Sequence, residues 1–342
     1  MPDGMTKTPS RQRPRLRQGW LGRDLDRDAL YWDFSPAHLA AIDALMAQIE
    51  RVGLPFHEIR REHFSHPALD GDLAAVLERI KNGPGLLIMR GFPVDKYDAE
   101  RMQTVYWGIG THFGVGVSQS ADGDYLGHVT NVAKASRGYT NDRELNLHTD
   151  SAEIVGLLCI RDAKEGGLSI YSSSLKVHEI IEREHPEYLP VLERGFRCDR
   201  RGEEAPEDDP VTPYRVPVFS TRDGVLSCRF VRGVIDKGAE RLGEKLSTLE
   251  QEALACFEEV AMRDDLRFEV TLRPGEASFI NNYEILHART GFVDQDDPAK
   301  KRLLYRLWLE GRPPRPMVPE VQLYRNRSGR MGVDPQPGRG PR

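Results

Sequence analysis

The chain has 342 residues, 39% of them hydrophobic and 30% charged, with a net charge of −5. That length favours one large domain or two small ones with ample chain for a core, and the composition is that of a soluble globular protein. No run approaches the ~18 apolar residues of a membrane span, and MPDGMTKTPSRQRPRLRQ at the start lacks the apolar core of a signal peptide, so a cytoplasmic protein with no membrane partner is expected.

Residues 1–18 carry five basic and one acidic side chain, and residues 325–342 carry the same balance. They read as a disordered basic tail and a flexible basic C-terminal tail around a single domain, 19–324. The acidic body between them opposes a phosphate backbone and shows no interleaving of aromatic with basic residues, so no nucleic-acid partner is expected. Cys159, Cys198, Cys228 and Cys256 form no CxxC pair, which points to buried reduced thiols.

The first strong element is SPAHLAAIDALMAQIERVG, 35–53. Ser35 can cap, Pro36 suits the first turn, Leu39, Ile42, Leu45, Met46 and Ile49 recur at helical spacing, and Gly53 stops the helix. A second helix is expected near 72–81, a buried strand at GLLIMRGFP, 85–93, and a third helix from Asp98. GIGTHFG, 108–114, only superficially matches a dinucleotide-binding loop: its last glycine is one residue late and it follows a helix. Helices thus fill the chain to about 113. Short β-like runs follow: 155–160, 168–173, 214–220, 225–231, 268–272, 277–281 and 303–309. They are separated by Gly/Pro turns and interrupted by helical insertions near 173–185 and 246–263. Many short strands of this kind predict an α+β protein with a double-sheet jelly-roll or sandwich core braced by N-terminal and inserted helices.

The chemistry begins at ELNLHTDSAE, 144–153. On a strand, positions i and i+2 face the same way, so His148 and Asp150 can converge while Thr149 turns aside. An imidazole and a carboxylate supply two of the three ligands of a facial triad for non-haem iron. A lone HxD is more often a surface or hydrogen-bonded pair, so a third ligand matters. His287 is the best candidate: it closes RPGEASFINNYEILH, where a Pro-Gly turn leads through a strand. Fifteen residues on, Arg302 opens RLLYRLWL, and a buried arginine there calls for a carboxylate that its planar fork can grip.

Taken in order, LLIMRGFP, LHTD, VGLLCIRDAKEGGLSIYSS, RPGEASFINN, LHART and KRLLYRLWL resemble the taurine dioxygenase or clavaminate synthase-like family of Fe(II)- and 2-oxoglutarate-dependent oxygenases, across roughly 85–310. The resemblance implies a double-stranded β-helix (jelly-roll, cupin-like) core over about 85–310, with iron on His148, Asp150 and His287. It also implies that Arg302 takes the distal carboxylate of 2-oxoglutarate and that Ser169, in GGLS, offers the co-substrate a hydroxyl. Arg306 corresponds to an arginine near the iron-bound end of the co-substrate or near an anionic substrate, and Arg289 braces the distal histidine's loop. O2 is the second co-substrate, succinate and CO2 are released, and a small-molecule substrate is oxidised. Asp150 stands where related halogenases have Ala or Gly, so hydroxylation is the default outcome.

Ser118, Gln119 and Asn146 lie in loops flanking the metal edge and are candidate substrate contacts. His112 and His128 read as structural or exposed, and His57, His63 and His66 as a solvated face. The alternative function is a catalytically silent β-helix that binds a metabolite. The prime substrate and any homo-oligomeric state are left open by the sequence.

Overall fold

Ser35 begins the first helix as its chemistry predicts: its hydroxyl accepts from the His38 N–H and its own N–H donates to His38 Nδ1, so each satisfies an otherwise orphaned donor. The computed structural model describes residues 18–131, 142–324, 326 and 329–340. In it α1 (Pro36–Val52), α2 (Pro67–Asn82) and α3 (Ala99–Gly110) occupy the N-terminal third. The second starts earlier than 72 because Pro67 sits at its first turn and the His66 imidazole caps it through the Ala68 N–H.

Two sheets follow. The larger runs β1 (Tyr31–Asp33), β2 (Leu86–Arg90), β12 (Glu276–Asn281), β6 (Ile154–Arg161) and β15 (Leu303–Glu310), with β3 (Val115–Gly116) and β4 (Leu126–Val129) both paired to β15. The smaller runs β11 (Phe268–Val270), β8 (Ser169–Ser173), β13 (Ile285–Arg289) and β5 (Leu145–His148). Short ribbons join β7 (Glu165–Gly166) to β14 (Phe292–Val293) and β9 (Phe219–Arg222) to β10 (Val225–Cys228).

Alternation along the strands sorts the core into layers. Leu87, Met89, Phe279, Tyr305 and Leu307 face α1, α2 and α3. Leu86, Ile88, Ile280, Leu304 and Trp308 face the smaller sheet, where Tyr171, Phe268 and Ile285 meet them. The outer face of the smaller sheet, through Leu147, Ile170 and Leu286, packs on α4 (Ser174–Glu184), α5 (Leu189–Arg194), α6 (Arg232–Leu242) and α7 (Thr248–Ala261). The order is helices, large sheet, small sheet, helices, an α+β arrangement. All four cysteines are free and buried.

Three expectations are corrected. The run 214–220 is a strand only from Phe219; before it Val216 makes a single bridge to Phe196, and Pro217 has no N–H to extend a ladder. There are more inserted helices than the two expected, and α6 escapes the sequence because only Val234, Ile235 and Gly238 are buried along it, too sparse a stripe to register as periodic. The described part of the expected flexible tail folds back: Met331 and Val333 are buried, and Val333 joins the inter-sheet core. Residues 1–17, expected as the basic N-terminal tail, lie outside the described residues.

Candidate active site

Strand register builds the site. β13 and β5 pair antiparallel with His287 directly opposite His148, and the register then slips so that Arg289 pairs with Leu145. The slip is a bulge with one extra residue on β5, and bulges re-aim side chains. Here it turns the Asn146 carbonyl to accept from His148 Nδ1 at 2.8 Å, which fixes the proton there and leaves Nε2 as a bare donor atom. The two rings lie 4.2 Å apart centre to centre.

β5 ends at His148, so Asp150 reaches the same point from a turn and not by strand alternation as expected. Buried contacts hold that turn. Asn282 accepts from the Asp150 N–H at 2.8 Å and donates to the carbonyls of Asp150 and Ala152. Arg229 donates to the carbonyls of Thr149 and Asp150 and to the hydroxyls of Thr149 and Ser151. Asp150 Oδ1 then lies 3.9 Å from His148 Nε2 and Oδ2 3.8 Å from His287 Nε2, with one donor atom from each of the three residues inside 4.8 Å of one another.

The electrostatics suit a cation. Burial lowers the His148 pKa, reinforced by the nearby Arg201 and Arg306 charges. Burial and the neighbouring His148 pull His287 down to about 3, so both imidazoles are neutral near pH 7. Burial by itself would raise Asp150, yet the Arg306 guanidinium, with help from both histidines and Trp308, holds it well below the usual carboxylate range. Arg306 Nη1 lies 3.2 and 3.3 Å from the two carboxylate oxygens, and Trp308 Nε1 donates to Oδ2 at 2.9 Å. Two neutral imidazoles and one ionised carboxylate, with His287 and Asp150 buried and His148 half-buried, are the donor set of a facial triad and fit a divalent iron.

Arg302, Leu304 and Arg306 line the same cavity as His148 and His287, as alternation from the start of β15 requires. At its far end Arg302 is 4% exposed, and its Nη1 is buried with no hydrogen-bond partner among the described residues. An unsatisfied buried donor costs roughly 1–3 kcal/mol, and a carboxylate would relieve it. Arg302 and Arg289 both lean on the Phe292 ring, at 5.0 and 4.7 Å, and burial together with Arg302 lowers Arg289 to about 10. Gly167, at φ 72°, stands where a Cβ would come within 3.2 Å of Arg302 Nε. Ser169 lines the cavity opposite Arg289 and hydrogen-bonds Tyr171, whose hydroxyl donates to Ser278.

The loop candidates are placed differently. Gln119 lies beneath Arg306, accepting from its Nε at 2.8 Å and donating to its carbonyl at 2.8 Å. Ser118 donates to the Ser120 carbonyl, and Asn146 contributes its backbone while its side chain is exposed. His112 is buried on the Phe64 carbonyl and the His128 ring lies tilted against Tyr305, 5.2 Å between centres. Arg289 donates to the Arg143 carbonyl and so braces the start of β5 as well as its own loop. Asn282, Arg229, Trp308 and Tyr171 are absent from the sequence reading. Of these only Trp308 carries a signal, two residues past Arg306 and hence on its face.

The profile of the family described as "Taurine catabolism dioxygenase TauD, TfdA family" matches residues 51–308. The chain is 30% identical over 293 residues to FR-33289 synthase of Streptomyces rubellomurinus, covering 82% of this chain and 86% of that protein. It is 28% identical over 309 residues to the taurine hydroxylase-like protein SAT17 of Stachybotrys chartarum, covering 84% and 77%. Among solved structures, asparagine oxygenase in complex with Fe(II), 3-hydroxyasparagine and succinate superimposes with a TM-score of 0.65 at 17% identity, over 82% of this chain and 93% of that one. The non-haem iron oxygenase OrfP in complex with Fe and α-ketoglutaric acid gives 0.60 at 14%, with the same coverage. The chain belongs to the TauD, TfdA family and is a non-haem iron, 2-oxoglutarate-dependent oxygenase.

Proposed function

We propose that this oxygenase hydroxylates a small metabolite, with iron on His148, Asp150 and His287 and the distal carboxylate of 2-oxoglutarate on Arg302. One observation carries the assignment. A single cavity connects the two facing histidines to the buried, unpartnered Nη1 of Arg302. In this reading residues 19–324, together with the folded-back 329–340, form one catalytic domain whose two facing sheets are a double-stranded β-helix, or jelly roll.

Iron and 2-oxoglutarate, when bound, supply the activation of O2 that couples loss of CO2 to oxidation of a substrate carbon. The chain's own groups do the rest. His148 and His287 offer neutral Nε2 atoms, and Asp150 offers the one negative charge, kept ionised by Arg306. Ser169, which lines the same cavity as Arg302, would offer its hydroxyl to orient the co-substrate. Leu145, Leu157 and Leu304 wall that passage and exclude water from it. The relatives, a taurine hydroxylase-like protein and an oxygenase bound to hydroxyasparagine among them, support a small polar substrate.

Anaerobic addition of Fe(II) and 2-oxoglutarate to the purified protein tests the reading, with a weak visible charge-transfer band as the expected result. In air the same mixture should release succinate slowly, and the right substrate should accelerate it. A band without any succinate would instead indicate a silent metabolite binder, and absence of both would overturn the assignment.

A further inference from the structure

Residues 329–340 do not leave the body as a tail. Gly332 donates its N–H to the Ser151 carbonyl at 3.1 Å, Val333 to the Ser118 carbonyl at 2.9 Å and Gln336 to the Ala121 carbonyl at 2.7 Å. The Met331 N–H donates to Glu310 Oε1 at 3.3 Å, and the Met331 and Val333 side chains are 6% and 3% exposed. The turn 118–121 is held from its other side too, because the Ala121 N–H donates to Glu203 Oε2 at 2.5 Å. Arg339 closes the circuit with a bond to the Gly202 carbonyl at 3.4 Å.

Between the two anchored carbonyls of that turn sits Gln119, and Gln119 holds Arg306 by two hydrogen bonds. Arg306 holds both oxygens of Asp150. The other anchor, Ser151, is the residue next to Asp150 in the chain. We infer that residues 329–336 are a strap that positions the metal-binding carboxylate of Asp150, from one side through the 118–121 turn and the Gln119–Arg306 pair, and from the other through Ser151. The inference rests on the reading of Asp150 as a metal ligand. Its physical content is geometric. A ligand carboxylate that can swing loses part of the advantage of a preformed site, and changes in groups that orient ligands typically cost 10–100-fold in metal affinity.

The test is Co(II) binding, followed by the visible spectrum of the bound ion, in two alanine variants at glycines of left-handed backbone. At Gly332, φ 86°, a Cβ would lie 2.5 Å from the Ser118 carbonyl oxygen, so Gly332→Ala pushes the strap off the turn. At Gly338, φ 79°, nothing lies within 4 Å of a Cβ, so Gly338→Ala carries the backbone strain alone. Gly332→Ala should weaken Co(II) about tenfold and alter its spectrum, while Gly338→Ala should bind as the unchanged protein does. A double variant with Gln119→Ala decides the route: if the strap acts through Gln119, Gly332→Ala should add little to the loss that Gln119→Ala already causes. Should Gly332→Ala fail to fold by circular dichroism, Val333→Ala reads the same strap by a milder change. Unchanged affinity in a folded strap variant or an equal loss in Gly338→Ala would each overturn the strap, and losses that multiply in the double variant would overturn its Gln119 side. Failure of the unchanged protein to bind Co(II) would overturn the metal-site reading, and the inference with it.

Discussion

The two ends of the cavity are built on opposite principles. At the metal end the polar groups around Asp150 already have protein partners: Asn282 and Arg229 on its backbone, Arg306 and Trp308 on its carboxylate. At the far end Arg302 is as deeply buried but keeps an unpartnered nitrogen, with another guanidinium, Arg289, against the same Phe292 ring. The surroundings of the Asp150 carboxylate are complete before anything binds, although the neighbouring His287 Nδ1 is buried without a partner among the described residues, whereas on the proposed assignment the Arg302 end is completed by its ligand. A metal site gains from rigid, pre-set donors, whereas a co-substrate that must arrive and leave each turnover gains from a vacancy shaped to one functional group.

The contrast predicts a graded set of effects. The largest should come from the trio itself: His287→Ala or Asp150→Ala should abolish stoichiometric Fe(II) binding and the charge-transfer band, since two ligands cannot define three facial positions. A variant that keeps both would break the metal-end half of the comparison. Next, Arg302→Met should raise the Kd for 2-oxoglutarate a few hundred-fold or more, because stripping one partner from a buried charge pair costs about 3–5 kcal/mol. Co(II) affinity in the same variant should be unchanged. Arg306→Met should do the reverse, weakening Co(II) toward the upper part of the 10–100-fold range while moving the 2-oxoglutarate Kd less than Arg302→Met does. Titration of both ligands into both variants makes a crossed design, and a larger 2-oxoglutarate defect in Arg306→Met would reverse the assignment of ends. The smallest effect is expected for Trp308→Phe, about tenfold in Co(II) affinity, since it removes one of the hydrogen bonds on Asp150 and leaves the Arg306 charge in place.

The same division explains what the sequence discloses. His148, Asp150, His287 and Arg302, in the roles proposed for them, act through side chains whose type announces the chemistry, in segments whose order is recognisable. Asn282 and Arg229 act on the backbone of residues 149–152 from far along the chain, and an asparagine or arginine that braces a distant peptide group has no local pattern. Gln119 is visible as a polar loop residue, but its bond to Arg306 exists only once β15 packs against the loop. The layered core is legible for the converse reason, since Leu86–Arg90 and Leu303–Glu310 are short apolar runs whose length and flanking turns suit a buried strand. The segment after 325 misleads because its glycines, prolines and arginines outweigh two buried apolar side chains, Met331 and Val333.

Among the described residues β5 is an edge strand, paired on one side only, to β13. Edge strands fray first and offer unpaired backbone to other chains. His148 on that edge faces His287 on its neighbour, so an ion between them would act as a rivet across the last seam of the sheet. Loading the metal should therefore slow amide hydrogen exchange at residues 145–148 more than at the doubly flanked β8, a difference that exchange mass spectrometry can measure. On this view iron serves as a mechanical part as well as a chemical one, and metal-starved protein should be the form in which the edge comes loose and chains begin to associate.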